Sequence, residues 1–460
     1  MRHRSLRALD RGADRGFTLV ELMVSLVAGL IVTISVVALA KAATNTFFEQ
    51  ARISTVQGTV RSASERLRQD LSRAGFMSTG NIQLARNDNS GVALPYNVPP
   101  GHKVSHAPGI ASPTARYAGI NNLQGISITV DGSRVASVNC PGCDAEGTTT
   151  LSTVNGLKPD SIVLAGNFTT DDSYRGKLVG NTIVLTVPSA GNNYRGDVAV
   201  ARLVEGDSDV VVRNAFFPGA ANPPATPSIA RIVDMRGCHH FVHITNSSAT
   251  AAGAVITLGA ALSGSPILTP AEDQSTCGAN EQEEVSINPV QRVRWYLAPS
   301  NPALSPQIAI EPAGRKFDLY REYLDGLGNP VPAPAGAQLV AEYAVDLKFG
   351  ITVDSNLIGV VAPNNQVTLD MDVNATDITK WTQAASLTLP NLEGPQRVRS
   401  VRFRLATRAA LPDRKANLVL IPGQPYLSRY CVNAPTCTDY ARVRTIMSEV
   451  ALTNQAGMSY

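Results

Sequence analysis

An uncharged apolar run from Leu22 to Ala40, nineteen residues long, constrains this chain more than any other stretch. As a helix it rises roughly 29 Å, about the thickness of the hydrocarbon core of a bilayer. The segment ahead of it carries Arg2, Arg4, Arg7, Arg11 and Arg15 against Asp10 and Asp14, and only Lys41 closes the far end. That charge bias keeps residues 1–16 cytoplasmic and exports everything after Lys41. A secretory signal peptide is cut at the far end of its apolar run. Instead the basic leader ends at Gly16-Phe17, so a cut there leaves the hydrophobic segment attached.

Glu21 is the one ionisable side chain that then sits at membrane depth, five residues in from a new N-terminus at Phe17. A lone carboxylate in hydrocarbon is costly and calls for a partner. The nearest is the amine that cleavage after Gly16 creates. The plainer reading, a charge that snorkels to the interface, holds only while the leader stays attached.

Gly16-Phe17-Thr18-Leu19-Val20-Glu21 ahead of a spanning run resembles the class III signal of type IV prepilins and pseudopilins. The resemblance implies that a prepilin peptidase cuts between Gly16 and Phe17 and N-methylates Phe17. It also implies that Glu21 pairs during assembly with the amine of Phe17 or of a neighbouring subunit, relieving two buried charges at once.

No Pro interrupts the chain between Phe17 and Ala74, and Phe48, Val56, Val60, Ala63, Leu67, Leu71 and Ala74 follow one another in steps near three and four. Arg52, Arg61, Glu65, Arg66 and Arg68 supply the polar side of that pattern. The reading is a single helical spine over 17–75, with a transmembrane segment at about 20–40 and an amphipathic second half, roughly 85 Å long in all. Gly29 and Gly58 each weaken it by about 1 kcal/mol relative to Ala, and Gly75 is placed to end it.

The remaining chain is long enough for a sizeable core. Only 17% of the residues are charged, while Gly (36) and Pro (29) are frequent, which favours a β-rich, loop-rich ectodomain. A net charge of +3, with no basic cluster interleaved with aromatics, gives no ground for nucleic-acid binding. Residues 76–125, rich in Asn, Gly, Ser and Pro, read as an irregular connector. A first β-rich region over 126–282 offers strands at Ile126–Val130, Ser161–Ala165, Thr182–Val187, Val198–Leu203, Val210–Val212 and Phe241–Ile244, a proline break at 218–228 and a weakly patterned insertion at 246–282. A second over 283–460 offers strands at Val285–Ile287, Arg292–Leu297, Phe317–Glu322, Gln338–Phe349, Arg397–Leu405 and Leu418–Ile421. The Arg397–Leu405 run alternates basic and apolar residues, as a half-buried strand does; its arginines read as a solvated edge face, with a partner surface as the sharper alternative.

Asp70-Leu71-Ser72-Arg73-Ala74-Gly75-Phe76 resembles the Asp-Leu-Arg-x-Ala-Gly-aromatic segment of PilW-like minor pilins and J-type pseudopilins, with Ser72 where Arg is common. Phe317–Arg321, Val345–Phe349 and Arg442–Leu452 resemble later strands of the PilW-like family, whereas the middle third has no counterpart. The physical reading beside this is that Leu67, Leu71 and Ala74 pack on the globular domain while the charged residues face water. The resemblance implies an α+β, type IV pilin-like fold in a single-pass inner-membrane protein with a periplasmic domain. Its expected role is to prime or cap a type IV pilus at its tip, serving motility, adhesion or DNA uptake. Other minor pilins, the major pilin, prepilin peptidase and the inner-membrane assembly platform are the expected partners. Two alternatives stand: a minor pseudopilin of type II secretion, expected to be much shorter than 460 residues, and a pilin-anchored adhesin with its ligand module in the middle third.

The six Cys of an exported domain read as disulfides. Sequence order suggests Cys140 with Cys143, Cys238 with Cys277 and Cys431 with Cys437, although six cysteines allow many pairings. Cys140-Pro141-Gly142-Cys143 has thiol-oxidoreductase spacing, but no helical pattern follows it to lower a thiol pKa, so a disulfide across a turn is expected. Cys238-His239-His240 with His243 suggests a metal, yet a strand sends His239 and His243 to one face and His240 to the other. His102 and His106 lie in the connector. Gly326-Leu327-Gly328-Asn329-Pro330 reads as a turn rather than a dinucleotide loop. No phosphate-binding loop, nucleophile elbow or His-Glu-x-x-His is present. The expectation is therefore no catalytic residue, no metal and no cofactor.

Overall fold

The computed structural model describes residues 17–81, 120, 123–130, 155, 158–187, 195–205, 209–221, 223–233, 235, 239–250, 253–259, 282–300, 304, 316–332, 336–354, 366–382, 394–412, 429–433 and 437–456. The chain divides into two units, Met1–Thr55 and Val56–Tyr460. In the first, helix α1 (Leu19–Ser72) begins, and every side chain from Phe17 to Thr44 is exposed. The helix is long and apolar enough to cross a membrane. The hydroxyls of its apolar run are satisfied within it: Thr33 Oγ1 donates to Gly29 O and Ser35 Oγ to Ile31 O, each at 2.8 Å. Such back-bonding lets Ser and Thr sit in hydrocarbon without orphaned donors. Phe48, expected on the buried stripe, is exposed, because burial along the helix begins only at Val56.

In the second unit the rest of α1 buries Val56, Val60, Ala63, Leu67 and Leu71, a row at helical spacing. Gly75, in the left-handed region at φ 75°, turns the chain out of the helix. Gly75 N then donates to Ala165 O at 2.8 Å, and Asn167 N to Phe76 O at 2.9 Å. This approach is so close that a Cβ on Gly166 would lie 2.4 Å from Arg73 O.

Antiparallel strands build the rest. A first sheet runs β1 (Ile126–Thr129), β2 (Ser161–Gly166), β8 (Glu284–Pro299), β9 (Phe317–Leu324) and β10 (Ala337–Ala341). A second runs β12 (Gln366–Leu369), β11 (Ala344–Asp354), β13 (Val398–Arg408), β15 (Tyr440–Ala451) and β14 (Arg429–Cys431). One core unites the helix row with Ile162, Leu164, Val293, Trp295 and Leu319 of the first sheet and Leu347, Phe349, Val401, Phe403 and Leu405 of the second. At about 1.5–3 kcal/mol for each large side chain buried, this shared core fixes helix and sheets as one body.

The middle of the chain forms a different object. Strands β3 (Tyr174–Val179), β4 (Thr182–Thr186), β7 (Gly253–Leu258), β6 (His239–Thr250) and β5 (Ser228–Val233) pair in that order. Both ends of the series then pair with β8, β3 at Glu284–Ile287 and β5 at Ser286–Val290. The strands therefore close into a ring with its own core, made of Leu178, Ile183, Leu185, Ile232, Ile244, Ile256 and Ile287 among others. Helices α2 (Arg195–Leu203) and α3 (Asp209–Phe216) add Val200, Leu203, Val212 and Phe216 to it. Beyond residue 290, β8 changes partners on both flanks, to β2 from Gln291 and to β9 from Arg292. Pro289 sits in this interval, where one flank carries no ladder and a missing N–H is tolerated.

Several expectations change. Val198–Leu203 and Val210–Val212 are helical, because Ala199, Val200 and Leu203, and Val212, Ala215 and Phe216, are buried at steps of three and four that override β-branched propensity. Residues 246–250 and 253–258 of the supposed insertion belong to the paired strands β6 and β7. Val285–Ile287 and Arg292–Leu297 belong to one strand, and Gln338–Phe349 is broken at Tyr343, whose φ is 56°. The Arg397–Leu405 strand is no edge: β13 lies between β11 and β15. A register shift near Arg399 breaks its alternation, and Arg404 is buried against Asp346 at 2.8 Å and Asp372 at 2.6 Å. Residues 82–119 of the connector and Leu418–Ile421 lie outside the described residues.

Candidate functional site

The N-terminus of α1 is a reciprocal cap. Glu21 N donates to Thr18 Oγ1 at 3.2 Å, while Thr18 N and Thr18 Oγ1 donate to Glu21 Oε2 at 3.4 and 3.2 Å. The first turn-to-turn backbone bond runs from Leu22 N to Thr18 O at 3.1 Å. Thr18 is thus the N-cap and Glu21 the third helical residue of a capping box, and the carboxylate also faces the positive end of the helix dipole. Phe17, just before the cap, is 78% exposed. The Thr-x-x-Glu spacing was visible in the sequence as a helix start; the chemistry of Glu21 alone did not reveal it. Gly16 lies outside the described residues.

The other end of α1 carries a second carboxylate, Asp70, in the opposite situation. It occupies the buried face between Leu67 and Leu71 and is 8% exposed. Its Oδ2 accepts Trp295 Nε1 at 2.9 Å and Arg321 Nε at 2.7 Å. Burial alone would lower the Arg321 guanidinium, but the charge of Asp70, together with Tyr323 and the hydrogen bonds to both, holds the group above its ordinary value. Arg66, beside it, is pushed down by burial and then by the charge of Arg321. The expectation that charged residues at this end of the helix face water fails at Asp70: its neighbours at Leu67 and Leu71 mark the row it shares. Asn454 Nδ2, from the chain's last described turn, donates to Ser72 O at 2.7 Å and satisfies a terminal carbonyl of the helix.

Cys431 and Cys437 form a disulfide with Cα atoms 5.2 Å apart, as the local pairing expected. Asn155 braces it, with Cys431 N donating to Asn155 Oδ1 at 2.8 Å. Cys140, Cys143, Cys238 and Cys277 lie outside the described residues, as do His102 and His106. His243, on β6, is buried with Nε2 3.3 Å from Gly326 O. Gly326–Asn329 form a turn in which Asp325 Oδ1 accepts Leu327 N at 2.9 Å and Asn329 N at 2.8 Å. Among the described residues, no group of three or more His, Cys, Asp or Glu is placed to hold a metal ion.

Residues 11–37 match a family described as the prokaryotic N-terminal methylation motif. No curated protein and no solved structure matches the chain. The matched span holds the Gly16-Phe17 junction, the Thr18–Glu21 cap and most of the apolar run. It supports a type IV pilin- or pseudopilin-like protein, processed by prepilin peptidase in the context of pilus assembly. With the apolar helix, it points to membrane anchoring.

Proposed function

We propose that this protein is a minor pilin of a type IV pilus, similar to PilW-like proteins, which co-assembles with other minor pilins to prime or cap the fibre. One observation carries the reading: the helix that bears the methylation motif is, at its other end, locked into a β domain by Asp70, Trp295 and Arg321. Two of the segments that resemble PilW-like proteins, Asp70–Phe76 and Phe317–Arg321, meet in that ion pair. On this reading Gly16 and Phe17 flank the processed bond, and Glu21 exchanges its local cap for the amine of Phe17 or of a neighbouring subunit. The domain is periplasmic, the assembled protein sits at the pilus tip, and it performs no chemistry of its own. Its partners are the minor and major pilins and the inner-membrane platform.

Deletion of the gene, followed by counting surface pili, is the test. Loss of pili restored by the wild-type chain is expected, with Glu21→Ala failing to restore them or to co-purify with pili. Unchanged piliation with a defect in protein secretion instead identifies a type II pseudopilin. A second reading, a pilin-anchored adhesin, is favoured by the separate core of the closed ring. Variants disrupting that core that keep pili but lose surface binding identify it.

A further inference from the structure

We propose that Lys348 and Asp160 join in an intramolecular amide bond, formed by the folded chain itself, that staples the second sheet to the first.

Asp160 stands immediately before β2, and Lys348 lies in the middle of β11. Both side chains are buried. Lys348 Nζ donates to Asp160 Oδ1 at 2.9 Å, and Phe349 N donates to Asp160 Oδ2 at 2.9 Å. Asp160 N in turn donates to Leu347 O at 2.6 Å, so the carboxyl is held against β11 from both its ends. Asp346 precedes Lys348 by two positions and shares its face of the strand. It is fully buried, its Oδ2 accepts Arg404 Nε at 2.8 Å, and its Oδ1 has no hydrogen-bond partner among the described residues. Burial raises the Asp346 carboxyl above its ordinary range, which the charges of Arg404 and Lys348 offset only in part.

Kept as ions, Lys348 and Asp160 both carry the cost of leaving water. Transfer of one proton from the ammonium to Asp160 Oδ1 leaves a neutral amine against a neutral acid, the forms a dry site favours. The Nζ lone pair then attacks Asp160 Cγ, and the charge that develops on Oδ2 meets the Phe349 N–H, a fixed oxyanion donor. Asp346 relays a second proton from Nζ to Oδ1, the Cγ–Oδ1 bond breaks, and water leaves. Two of the three ammonium protons depart with Oδ1 and the third stays on the amide, so no oxidant or other reactant is needed. Groups held in such contact react as if at roughly 10⁵–10⁸ M, which is what carries a condensation against water.

Lys316 shows the contrast. It is buried too, but it donates to Glu342, whose side chain is partly exposed, and lies over the Tyr343 ring at 4.8 Å. Although burial opposes its charge, the bond to Glu342 and the charges of Asp318 and Glu342 hold it above its ordinary value, in the unreactive ammonium form. The Lys348–Asp160 bond spans 188 positions and brackets the whole ring. The two sheets then stay tied even when the ring between them unfolds.

The test is the mass of the full chain, purified from membranes in detergent. The wild type is expected to be lighter by one water than its sequence, whether it starts at Met1 or Phe17, so the outcome does not depend on the assembly reading. Trypsin should fail to cut after Lys348 and release a branched peptide joining that segment to the one holding Asp160. Lys348→Arg keeps the cation and should restore the full mass and abolish the branched peptide, whereas Lys316→Arg should leave it in place. In pulse-labelled cells Asp346→Asn should slow joining by about a hundredfold or more. A wild-type chain of full mass that trypsin cuts after Lys348 overturns the proposal, as does a loss of water located at other residues. Joining at the wild-type rate in Asp346→Asn overturns the relay. The wild-type measurement decides the bond even where a variant fails to fold.

Discussion

Glu21 and Asp70 are carboxylates on the same helix, and their surroundings could hardly differ more. The described partners of Glu21 lie within its own helical turn: the N–H and hydroxyl of Thr18. Asp70 accepts from Trp295 and Arg321, 225 and 251 residues away. A local cap is worth about 1 kcal/mol and is given up readily, whereas a buried charge network holds only if every member stays. The first carboxylate is therefore exchangeable, as its proposed role in assembly requires, and the second is structural.

Substitution separates the two. Asp70→Ala leaves the Arg321 guanidinium buried without its counter-charge and should destabilise the domain by about 3–5 kcal/mol in denaturant titration, while Glu21→Ala should leave the domain's midpoint unchanged. Equal shifts for both would erase the contrast. Loss of the disulfide through Cys431→Ala/Cys437→Ala, which opens a short loop, should cost about 2 kcal/mol by the same measurement. Gly166→Ala, whose Cβ meets Arg73 O at the exit of α1, should cost about 1–3 kcal/mol. Thr18→Ala should cost about 1 kcal/mol of helix stability at the N-terminus, read as faster amide exchange in the first turn, with nothing lost around Asp70.

The smallest effect is a pH slope. Burial, with Glu322 adding to it, raises the Tyr296 phenol above its ordinary value. A group raised in the folded state contributes stability that is complete below its unfolded pKa, about 10, and is lost as pH rises beyond it. Tyr296→Phe should therefore flatten the decline in stability above about pH 10. An unchanged slope would show that another group governs it.

What the sequence made legible follows the same division. The spine could be read because helical periodicity reports one-sided packing directly, although burial starts at Val56 rather than Phe48, and the strands holding Trp295, Leu319 and Phe403 lie where the sequence placed them. Asp70 was misread because a carboxylate next to Arg73 looks solvated until Trp295 and Arg321 arrive from distant strands. Likewise, Arg404 looked exposed until Asp346 and Asp372 closed on it. The ring was illegible for a different reason: closure depends on β3 and β5 both choosing β8, and no local pattern in Tyr174–Val179 or Ser228–Val233 announces a partner more than 50 residues away. Val198 and Val210 misled because β-branched residues were given more weight than spacing.

β8 has a mechanical meaning beyond its place in two ladders. The ring and the helix-bearing sheet are held in series by one continuous strand, with the chain crossing once more between β2 and β3. A pull on the ring directed along β8 loads its hydrogen bonds in shear, many at a time, rather than peeling them one by one. β8 is thus a tension member, and Pro289, Asn288 and Gln291 mark the joint where the load passes from one set of partners to the other. Asn288 Nδ2 to Ser173 Oγ at 2.9 Å and Gln291 Nε2 to Thr169 Oγ1 at 2.9 Å tie that joint to the second crossing, so the two strands of the coupling share the force.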